Sequence, residues 1–168
     1  YFGPPVYEYS LKQGIEDGFL APYMIHRVNL EIDTVGYTPE PGEKDLDGKL
    51  LEQKKYGYKD FDRILIVDER RKAVANHLIN FLVKNGKYSK TILFCQNSEH
   101  ALAMTKLLRN YSGEGHDYAV RIVSDEGKTG LGYLSDFQEP NKDLPVIAVT
   151  SKLLSTGVDV PTCRIIAL

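Results

Sequence analysis

From Phe61 onward the sequence alternates short, wholly apolar runs with stretches of helical period, and this alternation limits the possible folds more than any other feature. The strand-like runs are Thr91–Cys95, Ala119–Ser124 and Pro145–Thr150, with a last one beginning near Arg164. None shows the polar alternation of a half-solvated strand, so each is expected to be buried on both faces. Between them lie helical patterns. Asp68 is placed to cap a helix with Ala73, Val74, His77, Leu78, Phe81 and Leu82 on one face and Asn85-Gly86 as its stop. On this pattern His77 is a core residue. Ser98 is placed to cap the next helix, with Ala101, Met104, Thr105 and Leu108 inward, and a further helix is expected over Leu131–Gln138. Strands separated by helices give a parallel sheet with helices on both faces, an α/β fold of the doubly wound type. Ligands of such sheets bind beyond the carboxyl ends of the strands, which directs attention to Gln96-Asn97-Ser98 and to Ser151 through Pro161.

The first sixty residues read differently. Residues 1–35 combine the aromatic stretch Val6-Tyr7-Glu8-Tyr9-Ser10, a helix-compatible run from Leu11 to Asp17, and a strand-like stretch from Tyr23 to Val35. Residues 36–60 gather Pro39, Pro41, Gly42, Gly48 and Gly57 among charges with no lasting period, as a long loop or a partly mobile insertion would. Residues 61–168 form the main domain. The amino-terminal sixty residues carry seven Lys/Arg against eleven Asp/Glu, and the remainder fourteen against twelve, so a phosphate-facing surface is expected in the second part. A net charge of −2 excludes bulk electrostatic coating of nucleic acid while leaving local phosphate contacts open.

Two cysteines, Cys95 and Cys163, sit in apolar runs and supply neither a disulfide framework nor a thiolate metal site. His26, His77, His100 and His116 have no metal-ligand spacing, and no metal site is expected. No stretch approaches the roughly 20 apolar residues of a membrane span, and no signal-peptide pattern opens the chain, so no membrane partner and a cytoplasmic location are expected. Gly127-Lys128-Thr129-Gly130 imitates the end of a phosphate-binding loop, but the glycine such a loop needs at position 122 is replaced by Ile122. Ile64 through Glu69 imitates an apolar strand ending in a magnesium-binding Asp-Glu pair, but no phosphate-binding loop precedes it, and Asp68 is read as a helix cap.

The run from Val146 to Pro161 carries the most chemistry. A buried strand delivers Thr150, Ser151 and Lys152 at its end, and Gly157 and Asp159 follow. Hydroxyls and amides at a strand end suit phosphate oxygens, and a carboxylate suits ribose hydroxyls or an arginine. On the residues alone, a capped βα loop is as open a reading.

This stretch resembles motif V of superfamily 2 helicases, where a hydrophobic strand leads to a Thr/Ser pair and then to Gly-x-Asp. Thr91 to Ser98 is similar to motif IV, at the first strand of the second RecA-like domain. The amino-terminal run from Tyr1 to Tyr23 is similar to the segment of type I restriction enzyme restriction subunits that leaves the first motor domain and enters the second. The resemblance implies a linker over 1–35, a loop or insertion over 36–60, and over 61–168 a second RecA-like helicase domain, incomplete at its C-terminus before motif VI. It also implies that Gln96, Asn97, Ser98, Thr150, Ser151 and Lys152 face nucleic acid and that Gly157 and Asp159 line an ATP cleft.

A chain without a methionine before Tyr1 that stops inside the apolar run Ile165–Leu168 is expected to be a fragment, carrying no catalytic residue and inactive alone. Its full-length parent would be an ATP-dependent DNA translocase and endonuclease using ATP and magnesium. Its partners would be double-stranded DNA, the methyltransferase and specificity subunits, and the first RecA-like and nuclease domains of its own chain. Two alternatives remain: another superfamily 2 translocase, of DNA repair or chromatin type, and a noncatalytic α/β docking module in which Thr150, Ser151 and Asp159 only order a loop.

Overall fold

The computed structural model describes residues 3–151 and 158–168. Its elements in chain order are α1 (Leu11–Glu16), α2 (Glu31–Val35), α3 (Asp68–Asn85), β1 (Thr91–Phe94), α4 (Ser98–Ser112), β2 (Ala119–Arg121), α5 (Gly127–Gln138), β3 (Ile147–Thr150) and β4 (Ile165–Ala167). A turn of 3₁₀ helix, Ser124–Glu126, joins β2 to α5.

The described strands lie in the order β2-β3-β1-β4, all parallel, with Phe94 opposite Thr150 and Arg121 opposite Val149. Alternate strand residues point to opposite faces. Leu93, Ala119, Ile147 and Val149 pack under α3 and α4, through Ala75, Leu78, Ile79, Leu82, Ala101, Met104 and Leu108. Ile92, Val120 and Ala148 pack on the other face with Phe137 of α5 and, beyond β3, Val158, Val160 and Cys163. The expected α/β sheet with helices on both faces is what forms.

Several element boundaries differ from the sequence pattern, each for a physical reason. Asp68 is the first helical residue of α3; the cap position falls on Val67, which makes no side-chain cap bond, so Asp68 and Glu69 act through the helix dipole. The buried face of α3 runs through Arg71, Ala75, Leu78, Ile79 and Leu82, and His77 is exposed, not core. The face turned because Arg71 is drawn inward by a buried carboxylate, described below. Asn97, not Ser98, caps α4. Helix α5 begins at Gly127, four residues before the apolar pattern does, because its first turn is made of Gly127, Lys128, Thr129 and Gly130. Glycine has room to start there: a Cβ on Gly130 would approach Glu126 Cβ at 3.0 Å and the Val123 carbonyl at 3.2 Å. The strand-like stretch from Tyr23 to Val35 contains no strand; it has no regular structure up to Leu30 and then turns into α2.

The segment 36–60 is a loop with a small core of its own. Tyr37 and Tyr56 form an antiparallel bridge through bonds of 2.9 and 2.8 Å, and a second bridge joins Lys44 and Leu50. Leu51, Tyr56, Phe61, Leu65 and Val67 are buried together, with Ile32 and Tyr37 against them. Spacing alone hides such a cluster, because its members follow neither the strand nor the helix period. Gly36 makes the tyrosine bridge possible: its φ is +78°, and a Cβ there would stand 2.7 Å from the Tyr56 carbonyl oxygen. Gly36→Ala is therefore expected to cost about 2 kcal/mol, from positive φ and the clash together, read as a lower urea midpoint with an unchanged slope.

Candidate nucleic-acid interface

Because the sheet is parallel, β1, β2 and β3 all end on the same edge. After β1 the chain turns to α4 on one face, while Val158 and Val160 pack on the other. The space beyond the carboxyl ends of neighbouring strands is where ligands of open α/β sheets bind in a crevice. The Cys95 N–H donates to the Thr150 carbonyl at 2.7 Å, so the strand ends are locked side by side.

The two sequence-derived segments flank this crevice. Gln96 is exposed, and its backbone N–H donates to His100 Nδ1 at 3.3 Å. Asn97 is half-buried and spends its side-chain oxygen on the His100 N–H at 2.8 Å, satisfying one of the free donors of the helix start. Ser98 accepts from Arg121 Nη1 through both its carbonyl, at 3.3 Å, and its hydroxyl, at 3.4 Å. Arg121 also donates from Nε to Glu126 at 2.6 Å, so its side chain links the start of α4 to the turn before α5. Ser151 is half-exposed just past β3. Thr150 is fully buried, and its hydroxyl has no hydrogen-bond partner among the described residues. A buried hydroxyl left without a partner carries a desolvation cost, which marks the position as special.

Gln96, Asn97, Ser98, Thr150 and Ser151 are thus brought together at one edge. Lys152 and Gly157 lie outside the described residues. Asp159 is separate from this group. It is exposed, and its backbone carbonyl accepts from Gln138 Nε2 at 2.9 Å. Gln138 ends α5, which starts at the carboxyl edge and runs back toward the other, so Asp159 is held away from the crevice. Among the described residues no group of three or more His, Cys, Asp and Glu is placed to hold a metal ion, and no helix is long and apolar enough to cross a membrane.

Sequence reasoning missed the charged cluster behind the crevice. Asp62, 4% exposed, accepts from Arg71 Nε at 2.6 Å and lies 2.6 Å from Arg71 Nη2 through the same oxygen, Oδ1. Its other oxygen faces Arg70 Nη1 and His100 Nε2, each at 3.7 Å, and Arg70 also donates to Asp33 at 2.6 Å. Burial lowers the His100 pKa, the Arg71 and Arg70 guanidiniums push the same way, and Asp62 opposes them. Burial first, and Asp62 second, push the Cys95 thiol up to about 12, so it stays protonated and is no nucleophile. These partners are far apart in sequence. Only the unusual density of charge after the apolar run at Ile64–Val67 could have signalled them.

No family model matches the chain. It is 43% identical over its whole length to the endonuclease subunit of the type I restriction enzyme EcoAI of Escherichia coli, and 32% identical over 99% of its length to the EcoKI endonuclease subunit of E. coli strain K12. It spans 21% and 16% of those relatives. It superposes with a TM-score of 0.68 and 39% identity on a fragment structure assigned to the HsdR subunit of a type I restriction enzyme from Vibrio vulnificus YJ016, over 98% of this chain and 28% of that one. With 43% identity over its whole length to one such subunit and a shared fold with a fragment of another, the chain is related to type I restriction enzyme endonuclease subunits over a part of their length.

Proposed function

We propose that the chain forms part of an ATP-driven DNA translocase motor within a type I restriction endonuclease, contributing DNA-backbone contacts and one wall of an ATP cleft. The observation that carries this reading is the adjacency of the strand ends at Phe94 and Thr150, which gathers Gln96, Asn97, Ser98 and Ser151 around one crevice. Half-exposed hydroxyls and the exposed amide side chain of Gln96 suit phosphate oxygens, which fix register on a duplex without reading its sequence. The net charge of −2 agrees with a few local contacts in place of a broad basic surface.

Asp159 fits the second role. Its carboxylate is exposed while its backbone is anchored by Gln138, so it is free to accept from a ribose hydroxyl or an arginine. In the full-length protein, ATP with magnesium would supply the binding that closes the two motor domains and the phosphoryl transfer that lets them reopen. The phosphate cradle and metal ligands would come from elsewhere in the full-length protein, as would the nuclease. The methyltransferase and specificity subunits are the partners this reading implies, with double-stranded DNA as the track.

The relatives give the repair-type alternative no support. The docking alternative has one observation in its favour: the amino-terminal segment exposes large apolar side chains, among them Phe19 at 81% and Met24 at 78%. A surface of this kind seeks a partner, and it is compatible with a motor, since the two features occupy different parts of the chain.

The deciding measurement is DNA-stimulated ATPase of the full-length subunit assembled with its partners. Ser151→Ala and Asp159→Ala are each expected to lower stimulated turnover about tenfold, the scale of one lost hydrogen bond to a charged group. Thr150→Val is the sharper arm. It removes a hydroxyl that has no partner among the described residues, so a fall in DNA stimulation at an unchanged urea midpoint reports on function alone. Undiminished turnover in all three would leave these residues as loop structure.

A further inference from the structure

His100 grips the end of β1 twice. Its backbone N–H is held by the Asn97 side chain at 2.8 Å, and its ring Nδ1 accepts the Gln96 N–H at 3.3 Å. A ring nitrogen that accepts carries no proton, so in the neutral imidazole the proton sits on Nε2. That nitrogen faces Asp62 Oδ2 at 3.7 Å, a charge contact longer than a hydrogen bond. Asp62 is itself fixed: its N–H donates to the Leu65 carbonyl at 2.8 Å, its φ is +60°, and Arg71 holds its other oxygen.

We propose that Asp62 and His100 are positioning residues for the DNA-facing strand end: the carboxylate favours the Nε2–H form of the ring, and the ring's free lone pair then sets the orientation of Gln96 and Asn97. The proposal rests on the reading of the carboxyl edge as the DNA-facing edge. Neither residue touches DNA. The ring side chain is 13% exposed and the Asp62 side chain 5%, and both act through the Gln96 amide. The arrangement also couples the loop core at 51–67 to the crevice, since Asp62 belongs to that loop and His100 to α4.

The charged groups facing the ring are Asp62, Arg71 and Arg70, with Asp33 behind Arg70. Burial and the two guanidiniums favour the neutral ring, in which Nδ1 can accept. Protonation would place a hydrogen on Nδ1 and leave the Gln96 N–H without an acceptor.

The test uses the full-length subunit with its partners and reads the DNA concentration giving half-maximal ATPase stimulation, separately from the rate at saturating DNA. His100→Phe removes the acceptor and is expected to raise that concentration about fivefold, the scale of one net hydrogen bond, with a smaller change in the saturated rate. His100→Asn offers an amide oxygen and should recover most of the loss. In the wild type the half-saturating concentration should climb as pH falls below the ordinary histidine value of 6.5; in His100→Asn that climb should flatten. Ser151→Ala serves as the parallel arm. If it weakens DNA response while His100→Phe and Asp62→Asn do not, the positioning role is overturned and the DNA edge stands. If none of the three alters it, the DNA edge falls, and this proposal with it. Should His100→Phe fail to fold, the pH profile of His100→Asn decides, and a profile like the wild type's overturns the proposal.

Discussion

Replacing Arg71 with alanine is expected to destabilise the chain by about 3 kcal/mol, near the lower end for breaking a buried ion pair. The loss is large because the change leaves Asp62, 4% exposed, without the two close nitrogens that neutralise it. Arg70 Nη1, at 3.7 Å, softens the penalty, but the same side chain is already engaged with Asp33 through Nε. The pair itself adds far less, since desolvating both ions offsets most of their attraction. Asp62→Asn with Arg71→Met should therefore recover most of the loss. Asparagine is the right replacement, because it tolerates the φ of +60° that a branched residue would not. Urea unfolding of the single and double variants checks this; a single-variant cost below about 1 kcal/mol would mean that water reaches the site.

The second large effect is expected at Phe137, fully buried on the α5 face against Ile92, Val120, Ile122 and Ala148. Phe137→Ala should cost about 3–5 kcal/mol, from lost transfer energy and the cavity left behind. Apart from Gly130 it is the one fully buried residue of α5, so little else anchors that helix. Its ring also lies 5.2 Å below the Lys90 ammonium, a contact that alanine would abolish. The neighbouring Gln138 holds the Asp159 carbonyl, so loosening α5 should loosen Asp159 as well. Leu131→Ala on the same helix, where the side chain is 60% exposed, should change stability by no more than about 0.5 kcal/mol. Comparable costs at both positions would mean that α5 is not seated as described.

Much of the sheet was legible because buried parallel strands and their covering helices leave a periodic trace. Thr91–Phe94 and Ile147–Thr150 fall inside the runs that pattern alone picks out. The site was legible in part, since strand ends in such folds are predictable even when their bonds are not. Illegible were features set by contacts between distant residues. Nothing near Arg71 says that it turns inward, because its partner Asp62 precedes the helix; that inward turn is what left His77 exposed. His100 has no ligand-like neighbour in sequence, and its partners are a backbone amide and a carboxylate from another segment. The loop at 36–60 looked unstructured for the same reason, its tyrosine bridge joining residues that no local period connects.

The central place of β1 has a consequence for synthesis. Both of its partners, β3 and β4, come later in the chain. As the polypeptide leaves the ribosome, β1 and its two apolar faces emerge with no strand to pair with, and α4 and β2 follow before β3 arrives. The central strand is thus among the last to be completed on both edges, the order that makes parallel sheets slow to form and exposes them to wrong partners. A protein laid out this way depends on its early helices, α3 and α4, to cover the Leu93 face of that strand, while the Ile92 face waits for α5.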